Sequence, residues 1–242
     1  MNSPFFPPVS AVISDVDGTL TDQRRRISTA AVECIRTLVD AGVTVVLASG
    51  NTLCSMTMLS KMIGTDGTVI CENGGTYRIG FDGDECVIGD IAASRAAFSA
   101  VQEYFGEQGV ALQLYSPEYR FADVAFARTV DPDIVRRVLA EHPVRVLDTG
   151  FAIHLQTEGI TKGTAFLRIC EAIGKRPEEF LSVGDSHNDI EMIQAAGIGA
   201  AVANGSADLY EAADYISEKK YGEGFVDAVQ TVSYTHLRAH ET

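Results

Sequence analysis

Two carboxylates one residue apart, Asp15 and Asp17, lie in the run Ala11-Val-Ile-Ser-Asp-Val-Asp-Gly-Thr-Leu-Thr. The four residues before Asp15 read as a buried strand, and Gly18 and Thr19 follow the pair at once. Side chains alternate faces along a strand, yet at a strand's fraying end two such carboxylates can converge on one divalent cation. A hard cation of the Mg²⁺ kind takes few protein carboxylates and completes its shell with water and substrate phosphate. One carboxylate can then attack phosphorus while its neighbour moves protons. An Asp-Gly turn after an apolar strand accounts for the same residues, and on this segment alone the two readings stand level.

Three later segments carry complementary chemistry. In Leu47-Ala-Ser-Gly-Asn, the Ser49 hydroxyl and the backbone N–H groups of Gly50 and Asn51 make an anion nest, or else a plain strand-to-helix loop. In Gly159-Ile-Thr-Lys-Gly-Thr, Lys162 opens a helix. A cation there opposes the helix dipole unless an anion is held between them; a solvated surface lysine is the plain alternative. In Val183-Gly-Asp-Ser-His-Asn-Asp, Asp185 and Asp189 again gather at a strand end, with Ser186 and Asn188 between them. A solvated acidic turn, with Asp189 serving the dipole of the next helix, is its plain alternative, and His187 reads as a loop residue. The conjunction is far more specific than any member. Nucleophile, anion donor, cation and metal ligands, in that order, are the parts phosphoryl transfer requires.

The elements that must position these residues follow from periodicity. Apolar runs at 11–14, 43–48 and 69–71 alternate with helical patterns at 28–41 and 53–63, closed by Gly42 and Gly64. This βαβαβ rhythm predicts a doubly wound parallel sheet with chemistry at the carboxyl ends of its strands. From Gly74 the texture changes: a hairpin over 76–80 and 85–88, a helix over 94–105, strands at 111–115 and 123–127, and a helix over 131–141 with Asp131 as N-cap and Pro132 at its first position. Strands at 144–147 and 151–155 end this unit. The parallel rhythm then resumes with helices at 163–173, 190–196 and 207–213, strands at 180–183 and 199–202, and a last helix near 223–230. The fold class is therefore α/β, a Rossmann-like core formed by residues 1–78 and 156–231, split by an inserted α+β cap at 79–155.

Composition is ordinary for a globular protein, 46% hydrophobic and 21% charged. A formal net charge of −14 argues against binding a nucleic-acid backbone, which needs clustered Lys and Arg. Five scattered cysteines with no Cys-x-x-Cys pair read as reduced thiols. With no signal-peptide pattern and no membrane-length apolar run, the expectation is a cytoplasmic protein that is a monomer or homodimer and works without a membrane partner. The closing residues 232–242, Val-Ser-Tyr-Thr-His-Leu-Arg-Ala-His-Glu-Thr, match one reading frame of a common transposon-type sequencing adaptor. They are therefore set apart from fold reasoning, and the four-residue spacing of His236 and His240 is not read as a metal pair.

The four ordered motifs, Asp15-Val-Asp-Gly-Thr, Ser49, Lys162 and Gly184-Asp-Ser-His-Asn-Asp, resemble those of haloacid dehalogenase superfamily phosphatases, over nearly all of residues 9–230. The insertion resembles the α/β cap of Cof-like, type IIB members. More narrowly the chain is similar to archaeal-type phosphoglycolate phosphatases, through Asp15–Asp22, Ile27-Ser-Thr, Leu47-Ala-Ser-Gly-Asn, Glu72-Asn-Gly-Gly, His154-Leu and Tyr221-Gly-Glu. Asn51 stands where related sugar phosphatases carry Arg, which favours that subgroup.

The resemblance implies a Mg²⁺-dependent phosphomonoesterase acting on a small phosphorylated metabolite, 2-phosphoglycolate first. Asp15 would be the nucleophile and Asp17 the proton shuttle. Ser49, Gly50, Asn51, Lys162 and Asn188 would hold substrate; Asp15, Asp17, Asp185 and Asp189 would hold the metal. Arg120 is the candidate to read a glycolate carboxylate from the cap, and His154 is expected to be structural. A sugar-phosphate phosphatase or a phosphohexomutase-like phosphotransferase is the alternative within the superfamily. A non-enzymatic phosphoprotein-binding module is the alternative outside it, disfavoured by the intact acidic set.

Overall fold

The computed structural model describes residues 9–239. Its first half runs β1 (Ala11–Asp15), α1 (Thr29–Asp40), β2 (Thr44–Ala48), α2 (Leu53–Ile63), β3 (Val69–Cys71), β4 (Thr76–Arg78), β5 (Cys86–Val87), α3 (Ile91–Gly106), β6 (Asp123–Ala127) and α4 (Pro132–Val138). It continues with β7 (Val144–Asp148), β8 (Ala152–Thr157), α5 (Lys162–Ile173), β9 (Phe180–Gly184), α6 (Ile190–Ala195), β10 (Ile198–Ala201), α7 (Ala207–Ala212), β11 (Tyr215–Ile216) and α8 (Tyr221–Ala239).

Eight strands form one sheet in the order β11-β10-β9-β1-β2-β3-β4-β5, paired parallel from β11 to β3 and antiparallel from β3 through β4 to β5. The period-two alternation of the buried strands divides the core into two layers. Val12, Val45 and Leu47 face α1, α2 and α8, while Ala11, Ile13, Val46 and Ala48 face Phe166 and Ile169 of α5. In-register pairing of β1 with β2 and β9 brings their carboxyl ends to one edge, so Asp15, Ser49 and Asp185 emerge side by side.

The smaller sheet, β6-β8-β7, is antiparallel. Val124, Phe126, Ile153 and Leu155 pack beneath α3 and α4. The alternate residues, Asp123, Ala125, Ala152 and His154, take the opposite face, and three of them line the cavity between the two sheets.

Four details differ from the sequence reading. β5, placed by sequence in the insertion beginning at residue 79, pairs with β4 in the larger sheet, so the change of sheet falls between Val87 and Ile91. The strand expected at 111–115 reduces to a single bridge, Leu114 to Phe126, because the chain turns away at Ser116 with a left-handed φ of 49°. β11 is two residues long, too short for any period to declare it. The last helix starts earlier and runs farther than 223–230. Val232, assigned by sequence to the tail, is buried with Phe225, Ala228 and Val229, which continue one helical stripe at i, i+3, i+4 and i+7. His240 and the two residues after it lie outside the described residues, so the His236–His240 spacing has no counterpart there.

Candidate active site

Lys162 is 1% exposed, and its Nζ donates to Asp15 Oδ1 at 2.6 Å and to Asp189 Oδ1 at 2.7 Å. These carboxylates are the anions that reconcile a cation with the first turn of α5. The helix is started by Thr161, whose side chain accepts from Thr164 N–H while Thr164 Oγ1 accepts from Thr161 N–H. Gly74, at φ 98°, lies against this start; a Cβ there would sit 2.1 Å from the Thr161 carbonyl oxygen. Burial opposes the lysine's charge, but Asp15 and Asp189 outweigh it and hold its pKa above the ordinary range.

Asp15, Asp185 and Asp189 offer ligand atoms within 4.8 Å of one another. Burial, with repulsion from Asp189 and Asp185, pushes the Asp15 carboxyl well above its usual range against the pull of Lys162. Burial and the Asp189 charge push Asp185 up to about 7. Asp15 Oδ2 and Asp185 Oδ1 are buried with no hydrogen-bond partner. Gly18, at φ 93°, leaves Asp185 its space: a Cβ there would lie 2.1 Å from Asp185 Oδ2. Crowded buried carboxylates with orphaned oxygens suit a hard divalent cation. Asp189 differs, because Oδ1 meets Lys162 and Oδ2 accepts the N–H groups of Asp185 and Ser186. It orients the loop that presents Asp185.

Asp17 is turned toward the loop after β2. Asn51 Nδ2 donates to Asp17 Oδ2 at 2.8 Å, and Ser49 Oγ lies 3.5 Å from the same oxygen. Asn51 also braces Ser49, its backbone N–H and Nδ2 both donating to Ser49 Oγ at 3.1 and 2.9 Å. Arg25 Nη2 approaches the other Asp17 oxygen at 3.4 Å.

The junction with the smaller sheet is built on Glu72 and Asn73, both at left-handed φ, 49° and 54°. The buried Glu72 carboxylate accepts the backbone N–H groups of Phe121, Ala122 and Asp123. Burial and the nearby Asp123 charge push its pKa up to about 7 despite those donors. Gln156 Nε2 donates to the Asn73 carbonyl at 2.8 Å, and Asn188 Nδ2 donates to Asn73 Oδ1 at 3.0 Å. Asp123 lies between Arg120 Nη1 at 2.5 Å and His154 Nδ1 at 2.8 Å. Burial opposes its charge, yet these two partners hold its carboxyl below the ordinary range. All of this surrounds a cavity of about 730 Å³ between the two sheets.

A family model described as haloacid dehalogenase-like hydrolase matches residues 12–134 and 145–229. The chain belongs to this family. It is 59% identical over 224 residues to a Methanoculleus marisnigri protein named phosphoglycolate phosphatase, covering 92% of this chain and 96% of that one. A second relative of that name, from Methanospirillum hungatei, is 49% identical, covering 94% of this chain and 98% of its own. A crystal structure from Thermoplasma acidophilum superposes with a TM-score of 0.82 at 28% identity, covering 96% of this chain and all of that one. The chain is a haloacid dehalogenase superfamily phosphatase similar to the archaeal phosphoglycolate phosphatases.

Against that family assignment, the fold brings Asp15, Asp17, Ser49, Gly50, Asn51, Asp185 and Asn188 to one cavity, with Lys162 buried behind Asp15. Asn188 spends its amide on Asn73, and the Gly50 carbonyl is taken by Arg120. Arg120 departs from expectation. It is 6% exposed, and its guanidinium makes bonds to Asp123, to the Gly50 carbonyl twice and to the Tyr115 carbonyl. The reason is Asp123, a buried carboxylate three residues away, which ties the guanidinium into the junction although Arg120 still lines the cavity. Sequence reasoning missed Arg25, hidden in a run of three arginines that reads as a solvated loop, and Asn73, whose role depends on contacts far along the chain.

Proposed function

We propose that this phosphatase is a Mg²⁺-dependent phosphomonoesterase that cleaves 2-phosphoglycolate in the cytoplasm through an aspartyl-phosphate on Asp15. The observation that carries the reading is the lysine-clamped carboxylate at the end of β1, facing an orphaned Asp185 oxygen. The naming of relatives up to 59% identical supports the substrate.

Lys162 holds one Asp15 oxygen, opposes the push of burial toward the neutral acid and aims the group; the carboxylate attacks phosphorus in line. As the P–O bond breaks, Asp17 gives its proton to the leaving alkoxide, then takes one from the water that hydrolyses the acyl phosphate. Asn51 and Ser49 fix the Asp17 carboxyl for both steps. The Ser49 hydroxyl, braced by the Asn51 N–H, and the Gly50 N–H donate to phosphoryl oxygens. Asp15, Asp185 and the Asp17 backbone carbonyl would hold the metal, which when bound offsets repulsion between the anionic nucleophile and the phosphate. Asp189 acts by presenting Asp185.

The test is phosphate release from 2-phosphoglycolate and a panel of sugar phosphates, with Mg²⁺ and with EDTA, for the wild type and Asp15→Asn. Turnover of phosphoglycolate that needs Mg²⁺ and is lost in the folded variant is expected. The cavity of about 730 Å³ is roomy for so small a substrate, which favours hexose phosphates as the rival reading. Activity confined to hexose phosphates overturns the first choice. More than trace activity in Asp15→Asn overturns the mechanism.

A further inference from the structure

A phosphomonoester that carries a carboxylate brings a third negative charge into a cavity already lined by Asp15, Asp17 and Asp185. That charge needs a cation with free donors. Lys162 is buried and divided between Asp15 and Asp189. Arg120 spends four of its N–H bonds on Asp123, Gly50 and Tyr115. His154 commits Nδ1 to Asp123 and keeps one nitrogen for the cavity.

Arg25 is in a different state. Among the described residues its side chain hydrogen-bonds to Asp17 alone, and that contact is long, 3.4 Å. Most of the guanidinium fork is therefore unspent, at the rim of the cavity and 55% exposed.

We propose that Arg25 is the residue that binds the carboxylate of the substrate, with Phe151 as the surface that holds the guanidinium in place. This deepens the reading above and rests on it: the substrate is taken to be a carboxylated phosphomonoester.

Three observations converge. The first is reach. Asp17 must meet the ester oxygen to protonate it, and in a phosphoglycolate the carboxylate is one methylene from that oxygen. A guanidinium that touches Asp17 is therefore within reach of the carboxylate.

The second is the way Arg25 is held. Its backbone is left-handed, φ 62°, a conformation that disfavours a non-glycine residue. The turn is braced to keep it there. Arg25 N–H donates to the Asp22 carbonyl at 2.8 Å, and Asp22 N–H donates to the Arg26 carbonyl at 2.8 Å. Asp22 Oδ1 accepts the N–H groups of Arg24 and Arg26, while Oδ2 takes the Arg26 guanidinium at 2.8 and 2.6 Å. Arg26 thus occupies the carboxylate nearest in sequence and leaves Arg25 free of it.

The third is the aromatic. The Arg25 guanidinium carbon lies 4.2 Å from the centroid of the Phe151 ring, a cation–π contact that fixes the plane of the fork without consuming an N–H. Phe151 belongs to the turn between β7 and β8, so the clamp is assembled across the cavity from both sheets. This arrangement suits a planar carboxylate, which the fork meets with two parallel bonds.

The experiment compares kcat and KM for 2-phosphoglycolate and for ethyl phosphate, the same ester without the carboxylate, in wild type, Arg25→Gln, Arg25→Lys and Phe151→Ala. The turn is exposed, and thermal midpoints check that each variant folds. Arg25→Gln is expected to raise KM for phosphoglycolate about 10- to 100-fold, the loss of charge-assisted bonds, and so to collapse the ratio of kcat/KM between the two substrates. Arg25→Lys, with the charge but not the fork, should recover part of that ratio, and Phe151→Ala should lower it less than Arg25→Gln.

Two outcomes in Arg25→Gln overturn the proposal: an unchanged ratio, or an equal fall in kcat for both substrates, which means that Arg25 acts only through Asp17. A wild type that favours no carboxylated ester over ethyl phosphate overturns it as well. A wild type that favours another carboxylated phosphomonoester removes phosphoglycolate as the substrate. The Arg25→Gln ratio measured on that ester then decides the clamp by the same criteria.

Discussion

Replacing Lys162 by Met, similar in length and uncharged, isolates what the buried ammonium does. The lysine contacts Asp15 and Asp189 at 2.6 and 2.7 Å, and the three side chains are 1%, 6% and 0% exposed. Removing one partner from a buried ion pair costs about 3–5 kcal/mol because the other charge is left uncompensated. Here one cation serves two carboxylates, so the loss at pH 8 should reach the upper end, about 5 kcal/mol. In the variant both carboxylates lose their counter-charge, and the Asp15 carboxyl, already held above its usual range by burial, rises further above it. The folded protein then binds more protons than the unfolded chain across that interval, and the deficit grows as pH rises and shrinks as it falls. Urea unfolding in EDTA at pH 5 and pH 8 reads this directly. Lys162→Met should differ from wild type by several kcal/mol more at pH 8 than at pH 5. Adding Asp189→Asn should return part of the loss at pH 8 by removing one of the stranded charges. A loss below about 1 kcal/mol at pH 8, or one independent of pH, refutes the account of Lys162 as the counter-charge to two ionised carboxylates. Should Lys162→Met fail to fold at pH 8, the pH 5 measurement and the Asp189→Asn rescue decide.

Two further outcomes follow from particular residues. Glu72 has its folded pKa near 7 against an ordinary 4.5, so between those values stability falls as pH rises, by about 3 kcal/mol in total. Glu72→Gln, with its carbonyl toward the N–H groups of Ala122 and Asp123, should flatten that slope in urea unfolding; an undiminished slope places its origin elsewhere. Gly18→Ala must fit a Cβ 2.1 Å from Asp185 Oδ2 at φ 93°. It should shift the Mg²⁺ concentration for half-maximal activity upward at least tenfold; an unshifted Mg²⁺ titration means that Asp185 is not a ligand.

Much of the larger sheet was legible because buried parallel strands are short continuous apolar runs, and glycines mark where helices stop. Val43-Thr-Val-Val-Leu-Ala and the closing Gly64 of α2 carry that information in a handful of adjacent residues. The last helix was less legible, because its final apolar position, Val232, fell in a segment set apart for other reasons. The smaller sheet was partly misread where strands are edges: 111–115 has strand-forming residues but only one bridge to hold it.

The site divides along the same line. Residues close in sequence, Asp15 with Asp17 and Asp185 with Asp189, were singled out by type and spacing once the segments were taken together, and the fold brings Asp15, Asp185 and Asp189 within 4.8 Å of one another. Phosphoryl transfer needs a fixed set of groups, and short motifs at strand ends supply them whatever lies between. Which cation serves which anion was another matter. Arg120 and Arg25 are equivalent by type, and only the folded chain sets one against Asp123 in the junction and leaves the other over Phe151 at the cavity rim. Arg120 pairs with Asp123 only three residues away, yet what seats that pair in the junction is its contact with the Gly50 carbonyl 70 residues distant, and no local pattern encodes that contact.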